Sequence, residues 1–188
     1  KALADALRAG AKTEDLRSAL DLLDGTTDLE PYRLDGKKAI REFEAWEKTG
    51  KRMAGVSARV LDYSALWVHP DGSAQMLEHE ILKIQSQEAI NQEAEQKPPE
   101  GLVLHLRVIK PDGRMLEPEP VAGKPTLTMP NLEVGDYVEI EHVTTTEGDG
   151  DHGRRYRGPM WLFREEDKGY WRSEFVVITP KDKSIEIE

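Results

Sequence analysis

The alternation of apolar and polar positions changes period once along this chain. Over residues 2–24, Ala2, Leu3, Ala6 and Leu7, then Leu16, Leu20 and Leu23, recur at helical spacing. Thr13 can cap the second of these two short helices, with Glu14 and Asp15 in its first turn, and Gly25 ends it. A loop rich in Thr, Asp, Pro and Gly follows. Asp35 is then placed to cap a third helix, from Lys37 to Lys48, whose apolar stripe is Ile40, Phe43 and Trp46. The connector Gly50–Gly55 marks the change, and from Val56 onward the period is two.

Val56–Val68 and Ala74–Ile84 flank His69-Pro70-Asp71-Gly72 and are expected to pair as a hairpin. Val60-Leu61 breaks the alternation, which suggests burial on both faces or a bulge. A polar stretch over 86–100 has room for a short helix at Glu88–Glu95. Leu102, Leu104, Leu106 and Val108 then alternate with Val103, His105, Arg107 and Ile109, which predicts one apolar face. Lys110-Pro111-Asp112-Gly113 supplies a second turn, and Arg114–Leu116 a short return. Pro118, Pro120 and Pro125 keep the next segment out of a central sheet position, with Leu127 and Met129 in an edge strand. Tyr137–Thr144, Pro159–Phe163 and Tyr170–Ile178 read as the remaining strands, with a loop at Thr146–Gly158. The expected fold is mainly β: an antiparallel β-sandwich over residues 51–188 with an N-terminal α-helical extension over residues 1–50.

Composition narrows the function classes. A formal net charge of −10 argues against nonspecific binding to nucleic acid or to an anionic membrane. No run approaches the ~20 apolar residues of a membrane-spanning helix, so membrane insertion by this segment is not expected. With no cysteine, disulfides, thiol nucleophiles and zinc–thiolate sites are excluded. The chain opens on Lys1 and closes on an alternating Ser184–Glu188, the pattern expected of a fragment of a longer protein.

Candidate chemistry is sparse. Glu147–Gly153 places Asp149 and Asp151 as Ca²⁺ ligands, yet an EF-hand loop would need Gly and Glu where His152 and Gly158 stand. The bland alternative is a charged, solvated loop. His79, His105 and His142 fall in strands without metal-ligand spacing; convergence of His105, His142 and Asp136 would be needed for catalysis. The acidic residues of Pro130–Glu141, among them Asp136, Glu139 and Glu141, read as turn and strand-surface groups rather than catalytic carboxylates. No nucleophile motif or phosphate loop is present, so no catalytic residue and no cofactor are expected. Arg155, Tyr156, Trp161 and Trp171 form a candidate surface for a sugar or a protein, against the plainer reading of core packing.

The order of several phrases carries a resemblance. Val60–Tyr63, Pro70–Gly72, Ile84–Ala89, Pro98–Gly101, Ile109–Gly113, Leu116–Pro118, Pro130–Glu139 and Phe175–Pro180 together resemble a bacterial domain family without assigned function. That family lies immediately before transglutaminase-like domains. The resemblance implies a β-sandwich, an adjacent transglutaminase-like domain in the same chain, and tetratricopeptide-like helical repeats upstream. It also implies export to the periplasm or cell envelope of a Gram-negative bacterium. The catalytic machinery would then belong to the downstream domain, and this chain would be a non-enzymatic accessory module. A carbohydrate- or peptidoglycan-binding module, with envelope polysaccharide as partner, is the alternative; a Ca²⁺-stabilised module is the third.

Overall fold

The computed structural model describes residues 29–70, 72–118, 123–147, 158–163 and 169–181. The two helices expected at residues 2–24, and Asp149, Asp151, Arg155 and Tyr156, lie outside them. A 3-10 turn at Glu30–Tyr32 leads into helix α1 (Gly36–Glu47), where the Asp35 carboxylate accepts the Lys38 amide at 3.1 Å. That bond satisfies one of the amides a helix start leaves without an intrahelical partner, which is why the helix begins there. α1 buries Ala39, Ile40 and Phe43, the face that the helical spacing predicts.

The long hairpin forms as expected from β1 (Ser57–Val68) and β2 (Ala74–Ile84). Its turn closes through His69 N–H to the Ser73 carbonyl and Gly72 N–H to the His69 carbonyl, with Gly72 at φ +88°. The irregularity at Val60-Leu61 is a register shift between Arg59 and Leu61, and both Val60 and Leu61 are fully buried. Helix α2 (Gln87–Glu93) and strand β3 (Glu95–Gln96) follow, then β4 (Leu102–Ile109), β5 (Met115–Leu116), β6 (Leu127–Thr128), β7 (Tyr137–Thr146), β8 (Gly169–Tyr170) and β9 (Ser173–Ile178).

The mainly β fold with an N-terminal helix is what the chain adopts. Seven strands make one sheet in the order β5-β4-β7-β2-β1-β8, with β9 also on β1, and β3 and β6 make a separate two-stranded ribbon. A second large sheet, as a sandwich would have, is not among the described residues. The pairings β1–β2, β2–β7, β4–β7 and β4–β5 are antiparallel, whereas β8 and β9 run parallel to β1. The sheet is therefore mixed at the edge where the sequence pattern predicted antiparallel pairing. Segment 159–163, expected as a strand, has no strand pairing.

Each face has its own core. On one, α1 presses Phe43 and Ile40 onto Leu61, Tyr63, Leu77, Ile81, Tyr137 and Val143. On the other, Leu82, Ile84, Val108 and Val138 pack with Ala89 of α2 and with Met129, and Leu66 and Val68 pack with Phe175 and Val177. β4 departs from its expected alternation. A register shift between Val103 and His105 flips the phase, so Leu102 and Leu104 join the α1 face while Leu106 and Val108 join the other. This bulge turns His105 and Arg107 inward under α1.

The two turn phrases of the second half are tied together. Lys110, from the second Pro-Asp-Gly turn, is buried and donates to Asp136 at 2.7 Å, to Glu133 at 3.0 Å and to the Asn131 carbonyl. Asp136 also accepts the Glu133 amide at 2.7 Å, so its carboxylate closes the Glu133–Asp136 turn in which Gly135 sits at φ +101°. Only glycine adopts that φ without a steric cost.

Candidate functional site

The densest collection of titratable side chains lies on the α1 face, beneath the start of that helix. Strand register assembles it. Tyr63, His79, Glu141 and His105 stand opposite one another across β1, β2, β7 and β4, and Leu61, Ile81, Glu139 and Arg107 form the next row. Arg33, between the 3-10 turn and α1, reaches down onto these rows. A recess lined by Arg33–Lys37, the two histidines, Arg107 and the two glutamates opens beside them.

Every charge in the cluster is matched. Arg33 grips Glu141 with two parallel bonds, Nε to Oε1 at 2.8 Å and Nη2 to Oε2 at 2.7 Å. Arg107 Nε donates to Glu139 Oε2 at 2.6 Å, and His79 Nε2 lies 2.9 Å from Glu139 Oε1. Glu139, Glu141 and His79 are each 1% exposed. Two carboxylates in such a place are tolerable only because each has its own guanidinium. Bidentate geometry makes the Arg33–Glu141 pair strong and directional, and Arg107 adds a single short charge-assisted bond to Glu139.

The environment shifts these groups in traceable directions. Burial works against ionisation of Glu139, yet the bonds from His79 and Arg107 outweigh it and hold the carboxyl below the usual range. The bond to Glu141 raises the Arg33 pKa further above its ordinary value. For His105, burial and then the charge of Arg107 lower the imidazole pKa, more than Glu139 and Glu141 raise it.

Gly36 explains how the helix comes so close. A methyl group there would overlap Glu139 Oε1 and stand 3.0 Å from Ile81 Cδ1. A residue without a side chain is what lets the first turn of α1 rest on the buried carboxylate.

The convergence required for catalysis by His105, His142 and Asp136 does not occur. His142 projects from the opposite face of β7, with Nδ1 3.0 Å from the Glu100 carbonyl and Nε2 3.6 Å from Glu78. Asp136 is committed to Lys110 and to its own turn. Asp136 is thus the turn residue it was expected to be, but Glu139 and Glu141 are not strand-surface groups. They are buried, because Tyr137, Glu139, Glu141 and Val143 share the face that α1 covers.

The two described tryptophans of the aromatic candidate are placed apart. Trp171 packs edge-on against Phe43 of α1, with ring centroids 5.6 Å apart. Trp161 stacks on Phe175, on the other face, at 5.2 Å and 12°. They do not form one shared surface. Around Trp161, the side chains of Met160, Leu162 and Phe163 are 84%, 52% and 60% exposed. No group of His, Cys, Asp or Glu among the described residues is arranged to hold a metal ion.

Arg33 and Gly36 are not singled out by the sequence, and Arg107, Glu139 and Glu141 read there only as strand positions. Their signal was present: charged residues share a face with large apolar ones in Leu77-His79-Ile81, Tyr137-Glu139-Glu141-Val143 and Arg107-Ile109. It becomes readable only once the strand order β2-β7-β4 is known.

No known family model and no curated protein matches this chain. Among solved structures, it is similar to a crystal structure described as a "putative protease" from Parabacteroides distasonis, at 16% identity and a TM-score of 0.42. The match covers 50% of this chain and 24% of that one.

Proposed function

We propose that this chain is a non-enzymatic interaction module, and that in a longer protein it docks against an adjacent transglutaminase-like domain. The observation that carries the interaction role is the exposed apolar run Met160, Leu162 and Phe163 beside the Trp161–Phe175 stack. Large apolar side chains exposed side by side mark contact surfaces more often than isolated ones do. The identity of the docked domain rests on the ordered phrases from Val60 to Pro180.

The non-enzymatic part is supported by how the cluster under α1, which holds catalytic residue types, spends its buried groups. Glu139 and Glu141 are each occupied by an arginine, and His79 Nε2 is occupied by Glu139. Such an arrangement fastens α1 to the sheet. A general acid or base, by contrast, must have a proton site within reach of a substrate. The isolated chain, incubated with peptide, ester and glycan substrates, is expected to show no turnover. Turnover that disappears in a Glu139→Gln variant which still folds would overturn the proposal.

A further inference from the structure

The recess under α1 contains an arrangement that the fastening role does not require. Arg33 Nη2 lies 2.7 Å from Glu141 Oε2 and also 3.4 Å from His105 Nε2. The same Glu141 Oε2 lies 3.6 Å from His105 Nε2. A guanidinium N–H has only a donor to offer, so His105 can face it favourably only through an unprotonated Nε2. The contact with Arg33 is thus favourable for the neutral Nδ1–H tautomer of His105, whose Nε2 is bare. The imidazole is also 31% exposed, so solvent protons reach it, whereas Glu141 is sealed beneath.

Protonation reverses this contact. Nε2 takes a proton from solvent and becomes a donor pointed at a donor, and two cations then face each other at that distance. The new N–H lies 3.6 Å from the Glu141 oxygen that Arg33 already holds. Every charged group facing the ring enters the balance. Arg33, just before α1, and Arg107 of β4 oppose the imidazolium; Glu139 and Glu141 of β7 favour it. His79 of β2, and Asp35 and Lys37 at the start of α1, line the same recess.

We propose that His105 is a proton-operated latch: its protonation displaces Arg33 from Glu141 and loosens the strap of residues 32–35 that closes the recess. The central sheet stays in place, because the Glu139–Arg107–His79 group and the apolar core of α1 do not depend on Arg33. The lowering of the His105 pKa by burial and by Arg107 sets the transition on the acid side of an ordinary histidine.

The test is an NMR titration of the native chain from about pH 7.5 to about pH 4.5, following the His105 imidazole and the Arg33 Nε–H together. As His105 protonates, solvent exchange of the Arg33 Nε–H, corrected for its intrinsic pH dependence, is expected to rise about tenfold. The amides of Ile81 and Leu82 should remain protected. In His105→Gln, which cannot take the proton, the Arg33 signal should stay flat. Arg33 that remains protected while His105 titrates would overturn the latch, as would the same pH response in His105→Gln. Should that variant fail to fold, the two curves from the native chain still decide the question.

Discussion

Replacing Gly36 with alanine separates two physical expectations of opposite sign. Gly36 is the first residue of α1, and its backbone lies outside the left-handed region, so its conformation does not require glycine. On helix propensity alone, Gly36→Ala should stabilise the chain by up to about 1 kcal/mol. The packing predicts the reverse. The new methyl would overlap Glu139 Oε1 and lie 3.0 Å from Ile81 Cδ1 and 3.2 Å from Glu139 Cδ. To reach ordinary contact, the carboxylate or the helix must retreat by about 1 Å. The carboxylate has nowhere to go without lengthening its 2.9 Å contact to His79 or its 2.6 Å bond to Arg107. Overpacking costs about 1–3 kcal/mol, and a weakened bond to a charged group about 1.5–3 kcal/mol. With the propensity gain set against them, the net effect is a destabilisation of about 1.5–5 kcal/mol.

Urea unfolding of the two proteins, followed by circular dichroism, measures this as a lower midpoint at unchanged m. The cycle with Glu139→Ala makes the cause explicit. Once the carboxylate is gone, Gly36→Ala should become neutral or stabilising, giving a coupling above about 1 kcal/mol between the two positions. A Gly36→Ala chain as stable as the native one, or equal effects of the substitution in both backgrounds, would refute the close approach of α1 to Glu139.

Two further outcomes follow from buried charge. Lys110→Met leaves the buried Asp136 carboxylate without its cation and should cost about 3–5 kcal/mol in urea unfolding, whereas Arg114→Met, at an exposed pair with Asp112, should leave the urea midpoint nearly unchanged. Because the folded-state pKa of Glu139 lies below its unfolded value, the unfolded chain binds more protons as acid is added. The Glu139 contribution is therefore fully present above about pH 4.5 and fades as the pH falls through the folded pKa, so urea midpoints measured down this range should fall less steeply in Glu139→Gln.

How far the sequence could be read depends on whether an element is specified locally. Asp35 before an apolar stripe places α1 to within a residue, since a cap and a helical period are both short-range signals. The two Pro-Asp-Gly turns fix the hairpins for the same reason. β4 shows the limit. Its sequence alternates without a flaw, yet the bulge between Val103 and His105 reverses the phase, because pairing with β7 decides register and not the strand's own pattern. The parallel docking of β9 on β1 joins residues more than a hundred positions apart, and no local signal specifies it. The charged cluster was hidden for a related reason. Glu139 and Glu141 look like solvated strand residues until Arg107, His79 and Arg33 arrive from three other elements to neutralise them.

The proposed interaction role is tested most directly by backbone hydrogen exchange of residues 158–163, measured in this chain alone and in a longer protein in which a transglutaminase-like domain is joined to it. Docking through the Met160–Phe163 run predicts slower exchange there in the longer protein, with the amides of β2 and β7 unchanged. Equal exchange of residues 158–163 in both would contradict it.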